Sequence, residues 1–147
     1  MSSHVSGIIL DTNVVSEPTR QQPDQRVCGW FEIHRGDDLY LTSTVIAELA
    51  QGIQRLAAGR RRGDLERWLD TLIANAFVGR ILTFDVEAAL IYGRLAADAR
   101  AQGRAPKMGD AQIAAVAWRE GMAVATRDVA DFKALQVPVV NPWESGS

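Results

Sequence analysis

IILDTNVVSEP, residues 8–18, decides how the rest of the chain is read. Three aliphatic residues, Ile8, Ile9 and Leu10, run directly into Asp11. Thr12, Asn13 and the apolar pair Val14 and Val15 follow. A carboxylate left buried and unpaired is costly. Asp11 therefore either caps a strand-to-helix turn or holds something positive. The segment before it, Val5–Leu10, is continuous rather than alternating, the pattern of a short strand covered on both faces.

Working outward, Thr12 onward reads as a short helix stopped near Pro18, with a polar loop over Thr19–Asp24. Arg26–His34 has helical spacing at Val27, Trp30 and Phe31, and Gly36-Asp37-Asp38 breaks it. Leu39–Thr42 is a second strand. The next helix is capped by Thr42, Ser43 or Thr44, and its apolar stripe is Ile46, Leu49, Ala50, Ile53 and Ala57. Gly59–Gly63 reads as a basic turn and Leu65–Phe77 as a partner helix, a helical hairpin. A strand over Arg80–Phe84 leads to Asp85, a cap for a long helix over Val86–Gln102. After a loop over Gly103–Gly109, a helix over Asp110–Glu120 stops at Gly121. Met122–Thr126 is a strand, Asp128–Leu135 a short helix and Val137–Val140 a last strand. Strands alternating with helices predict a three-layer α/β/α domain around a central, mostly parallel sheet.

The length of 147 residues suits one domain spanning 1–147. A net charge of −2 gives no overall basic field, so any nucleic-acid contact must use local patches. The one cysteine, Cys28, excludes a disulfide framework within the chain and reads as a small buried hydrophobe. A reducing cytoplasm is the expected compartment. The N-terminal MSSHVSG lacks the layout of a secretory signal, and no apolar run nears the ~20 residues of a membrane helix.

In parallel sheets ligands bind beyond the carboxyl ends of the strands, which says which carboxylates to collect. Asp11 follows the first strand and Asp128 follows Met122–Thr126 within two residues. Asp110 opens a helix, AQIAAVAW, that is apolar nearly all round. Glu48 lies about one turn into the helix after the second strand. Each has an ordinary alternative. Asp11 and Asp128 can be caps, Asp110 can complement the helix dipole, and Glu48 points away from the apolar stripe toward a surface position. Glu48 has one hint of more, its small and polar neighbours Thr44, Gln51 and Gly52. Gathered at one rim, the four acids repel one another unless a cation lies among them. Oxygen ligands favour Mg²⁺ or Mn²⁺, and with only His4, His34 and Cys28 available a zinc site has few ligands.

LDTNVVSE, STVIAEL, GDAQIAA and ATRDVADF, in that order and spacing, resemble the PIN-domain family, most of all the VapC/FitB toxin branch of type II toxin–antitoxin systems. The trailing VVNPW, residues 139–143, also suits the FitB-like members. No single motif is specific; the four in series are. The resemblance implies a metal-dependent ribonuclease whose acidic cluster is Asp11, Glu48, Asp110 and Asp128, with Asn13 and Thr126 holding the site by hydrogen bonds. Many relatives place the last acid at the position of Asp131, before Phe132. This chain has an acid at both, and Asp128 is favoured because it lies nearer the strand end. The resemblance further implies a homodimer and a small DNA-binding antitoxin, which threads an arginine toward the carboxylates.

The chemistry expected of such a site is metal-assisted attack of water on a phosphodiester, leaving a 5′-phosphate and a 3′-hydroxyl. Lys107 and Arg104, just before Asp110, are candidate RNA-backbone contacts. Arg60, Arg61 and Arg62 are either a solvated turn or further contacts. Trp30, Trp68, Trp118 and Trp143 are able to stack bases, although Trp68 and Trp118 sit in apolar helices and are expected in the core. Three other readings use similar residues. A phosphohydrolase with a covalent aspartyl phosphate needs a second Asp two residues after Asp11, where Asn13 stands. A non-enzymatic α/β binding module needs no Glu48. A DNA nuclease shares the metal chemistry.

Overall fold

A computed structural model of the chain describes residues 7–34 and 38–144. The elements in chain order are β1 (Ile8–Leu10), α1 (Thr12–Ser16), α2 (Gln25–Ile33), β2 (Leu39–Thr42), α3 (Ser43–Gln54), α4 (Arg60–Thr71), β3 (Ile81–Leu82), α5 (Val86–Ala101), α6 (Met108–Glu120), β4 (Ala123–Ala125), α7 (Val129–Lys133) and β5 (Val139–Val140). A 3₁₀ turn over Glu17–Thr19 follows α1, and a π turn over Leu72–Ala76 follows α4.

The five strands form one parallel sheet in the order β3-β2-β1-β4-β5. Register places Ile9 beside Tyr40 on one side and Leu10 beside Ala125 on the other. Successive strand residues face opposite sides of a sheet. Ile9 and Leu10 are both fully buried, as are Val124 and Ala125, so helices cover both faces of its centre. This is the expected α/β/α arrangement. From β1 the chain steps outward to β2 and β3, then returns through α5 and α6 to lay β4 on the opposite side of β1. The strand order therefore reverses between β1 and β4, and a crevice opens there at the carboxyl ends.

The caps follow the sequence closely. Of the three candidates before α3, Thr42 takes the role, its hydroxyl accepting from the Val45 amide at 3.1 Å. Asp85 caps α5 through the Ala88 amide at 2.9 Å. Gly121 ends α6 at φ +67, a left-handed conformation that favours glycine.

Several boundaries differ. The start of the first predicted strand, Val5 and Ser6, lies outside the described residues, as do Gly36 and Asp37 of the predicted break. The helix expected to carry Ala57 ends at Gln54. The basic turn over Gly59–Gly63 is instead the opening of α4, which starts at Arg60 after Gly59 turns the chain at φ +155. The arginines are helix formers, and two of them have partners of their own. Arg61 donates to the Thr19 carbonyl at 2.8 Å, and Arg62 bonds the Gln54 side chain and pairs with Glu66 at 3.7 Å. The helical hairpin stands, α3 packing on α4.

Trp30 and Trp143 are buried, and Trp68 packs half-buried against the core. Trp118 departs from expectation: it is 40% exposed in the last turn of α6, with the Arg94 guanidinium 4.9 Å above its ring. Cys28 is only half-buried. Among the described residues no helix is long and apolar enough to cross a membrane.

Candidate active site

The switch point between β1 and β4 brings together side chains far apart in sequence. Asp11 leaves the end of β1 and is buried. Its Oδ1 accepts the Thr12 amide at 2.8 Å, so it does cap the chain's turn into α1. Its Oδ2 accepts the Thr126 hydroxyl at 2.7 Å from the end of β4. The capping role that the sequence offered is present, and the capping carboxylate also lies near Asp128 and Glu48. Burial pushes the Asp11 carboxyl up; the two hydrogen bonds oppose this, and the charges of Asp128 and Glu48 add to it.

Thr126 is fully buried and works in two directions. It donates to Asp11 and accepts the Asp128 amide at 2.9 Å. Asp128 stands at the N-cap of α7, yet its side chain makes no capping hydrogen bond. Its Oδ2 instead accepts from Asn13 Nδ2 at 3.3 Å. Asn13 and Thr126 thus tie the segment after β4 to the segment after β1.

Asp110, in the first turn of α6, is buried to 8% exposure, and its Oδ2 has no hydrogen-bond partner. Burial, then the charge of Asp11, pushes its carboxyl up to about 7, with Asp128 and Asp131 adding to the rise. The nearby Lys107 ammonium opposes it. At a helix N-terminus a carboxylate is ordinarily favoured, so the surrounding site outweighs the helix dipole.

Glu48 is the main correction to the sequence reading. It is half-buried, not a surface residue. Its Oε1 accepts the hydroxyl of Thr12, and its carboxylate lies against the Cα of Gly109. Thr44 and Glu48, in the first half of α3, meet α1 and α6, while Gln51 and Gly52 further along stay exposed; these local tertiary contacts turn Glu48 inward. Beside it the Thr44 hydroxyl donates to Gln112 Oε1 at 2.9 Å, a second link between α3 and α6. Thr12, Gly109 and Gln112 were not singled out from sequence. The adjacency of Gly109 to Asp110 was the only available signal.

Asp131 sits further out, half exposed, paired with Arg104 at 3.2 Å. Arg104 and Asp131 line a cleft with Pro106 and Ala134. Lys107 is exposed at the start of α6. His34 lies against the Trp30 ring, 4.6 Å between centroids, and His4 is outside the described residues.

Among the described residues no three His, Cys, Asp or Glu side chains stand as a ready-made metal cage. The donor set nevertheless fits a hard cation. It is all oxygen, the Asp11 and Asp110 carboxyls are pushed up by burial and by neighbouring charge, and Asp110 keeps one buried oxygen uncommitted. The buried Asn13 Oδ1 is likewise without a partner.

Fold and site together define a class: a parallel α/β domain that gathers carboxylates beyond the ends of its central strands. The PIN domain family model matches residues 8–137, and the chain belongs to that family. It is 41% identical to toxin FitB of Neisseria gonorrhoeae over 136 residues, covering 92% of this chain and 98% of FitB. It is 39% identical to the VapC ribonuclease Y4jK of Sinorhizobium fredii over 137 residues, covering 93% and 98%. Among solved structures, FitAB bound to the IR36 DNA fragment superposes with a TM-score of 0.89 at 39% identity, covering 95% of this chain and 98% of that one. Within the family, the chain is a toxin of the FitB and VapC kind.

Proposed function

We propose that this toxin, a single domain over residues 1–147, is an endoribonuclease dependent on Mg²⁺ or Mn²⁺. In this reading Asp11, Glu48, Asp110 and Asp128 hold the ion. The observation that carries it is the buried, unpartnered Oδ2 of Asp110, whose carboxyl burial and the charge of Asp11 push up. A bound divalent cation would neutralise these acids, activate water and polarise the scissile phosphate.

The protein's own groups do the positioning. Thr126 and the Thr12 amide fix both oxygens of Asp11. Asn13 steers Asp128, and the Thr12 hydroxyl steers Glu48. Lys107 and Arg104 flank the acidic rim and offer cations to the RNA backbone. No histidine serves the site among the described residues, which favours hydrolysis by water, with a 5′-phosphate and a 3′-hydroxyl as products, over attack by the ribose 2′-hydroxyl.

The antitoxin partner is supported by the FitAB structure bound to DNA. A DNA-binding antitoxin is the inhibitor in this reading and the toxin pairs as a homodimer. A guanidinium from the antitoxin is suited to the acidic rim in place of the metal charge.

The test is cleavage of RNA by the purified chain. Mg²⁺ should support cleavage, a chelator should abolish it, and Asp110→Asn should reduce it by on the order of a hundredfold or more. Cleavage that persists undiminished in the chelator would sink the reading.

A further inference from the structure

Gly109 occupies the second position of α6, directly before Asp110. Its backbone is compatible with any L-residue, since it is absent from the positive-φ glycines Gly59, Gly79, Gly103 and Gly121. Its lack of a side chain therefore serves space rather than backbone conformation. A Cβ built at Gly109 would overlap Glu48 Oε2 and stand 3.3 Å from Glu48 Cδ. The other oxygen of the same carboxylate, Oε1, takes the Thr12 hydroxyl. Glu48 is thus gripped from two sides: α1 supplies a donor, and α6 supplies a hollow.

We infer that Gly109 is a positioning residue for the acidic site, the hollow that seats the Glu48 carboxylate beside Asp110. The inference rests on the proposed metal-binding role of Glu48. Oε2 belongs to the far end of a flexible side chain. A Cβ at residue 109 would push that end aside and leave the backbone of α6 in place. The fold would survive such a change. The carboxylate would lose its seat, and with it the Thr12 hydroxyl. Gly52, one turn beyond Glu48 on α3, makes the contrast: a Cβ there meets nothing within 4 Å.

The test compares wild type with Gly109→Ala, Gly52→Ala, Glu48→Asp and the double variant Gly109→Ala/Glu48→Asp. Mn²⁺ binding is measured by calorimetry, melting temperature by scanning, and the Glu48 conformation by crystallography. Gly109→Ala should weaken Mn²⁺ binding about tenfold without lowering the melting temperature. Its Glu48 should be turned away from Thr12. Gly52→Ala should bind like wild type. Because Asp is one methylene shorter, the double variant should bind Mn²⁺ more tightly than Gly109→Ala alone, although Glu48→Asp by itself binds more weakly than wild type. Unchanged Mn²⁺ affinity in Gly109→Ala, or a Glu48 still bonded to Thr12 in its crystal structure, overturns the inference while leaving the metal site intact. A wild-type chain that binds no Mn²⁺ overturns the metal reading and this inference with it.

Discussion

The Thr126 hydroxyl lies 2.7 Å from Asp11 Oδ2, and the two residues are 115 positions apart in the chain. The bond spans the crevice between β4 and β1, and the same hydroxyl accepts the Asp128 amide. One buried oxygen therefore registers two acids against each other.

Removing that oxygen should be felt in stability and in the site. Thr126→Val keeps the shape but leaves Asp11 Oδ2 and the Asp128 amide without their partner, a loss of about 1–3 kcal/mol. Thr126→Ser keeps the hydroxyl and should lose less than half as much. Chemical denaturation of both variants, with Mn²⁺ titration alongside, checks this. Equal stability of the Val variant and wild type would contradict the structure.

Asp110 should make stability fall with rising pH. Its carboxyl is pushed up from 3.8 to about 7. Below pH 4 it is protonated whether the chain is folded or not. Between the two values the unfolded chain releases a proton that the folded chain keeps, so raising the pH favours unfolding. The full shift corresponds to at most about 4 kcal/mol, reduced by the solvent that reaches the rim. Asp110→Asn should accordingly be more stable than wild type at pH 8, with the advantage shrinking toward pH 4. Ion binding requires the charged form, so wild-type Mn²⁺ affinity should climb from pH 6 to pH 8. Melting curves and calorimetry across that range decide both points.

Asp128 and Asp131 should part company under mutation. Asp128 is held by Asn13 and stands beside Asp11; Asp131 is paired outward with Arg104. Asp128→Asn should reduce RNA cleavage by on the order of ten- to a hundredfold. Asp131→Asn should leave cleavage within about threefold and, by freeing Arg104, tighten RNA binding at low salt. Cleavage rates and salt-dependent binding of both variants provide the comparison, and the opposite ranking would make Asp131 the fourth acid.

The sheet was legible because its strands are short continuous apolar runs, and Asp11 and Asp128 because they stand where such runs stop. The caps Thr42, Asp85 and Gly121 were legible because they satisfy helix ends locally. Glu48 was not, since its helical face looks exposed until α1 and α6 pack against it. Nor was the start of α4: Arg60–Arg62 between two glycines looks like a turn, and the Thr19, Gln54 and Glu66 partners that hold Arg61 and Arg62 are tertiary or a turn away. Trp118 failed for the converse reason. An apolar helix suggested complete cover, but the Trp118 ring stays 40% exposed on α6, and Arg94 is what lies over it.

The strand order has a consequence for the cell that makes this protein. β1 leaves the ribosome well before β4. Asp11 waits for a neighbour strand made more than a hundred residues later. Synthesis proceeds at about 5–20 residues per second, so for several seconds the growing polypeptide carries its first acid but no assembled cleft. A chain stopped before β4 would lack the Asp11–Thr126 bond that joins the two strand ends.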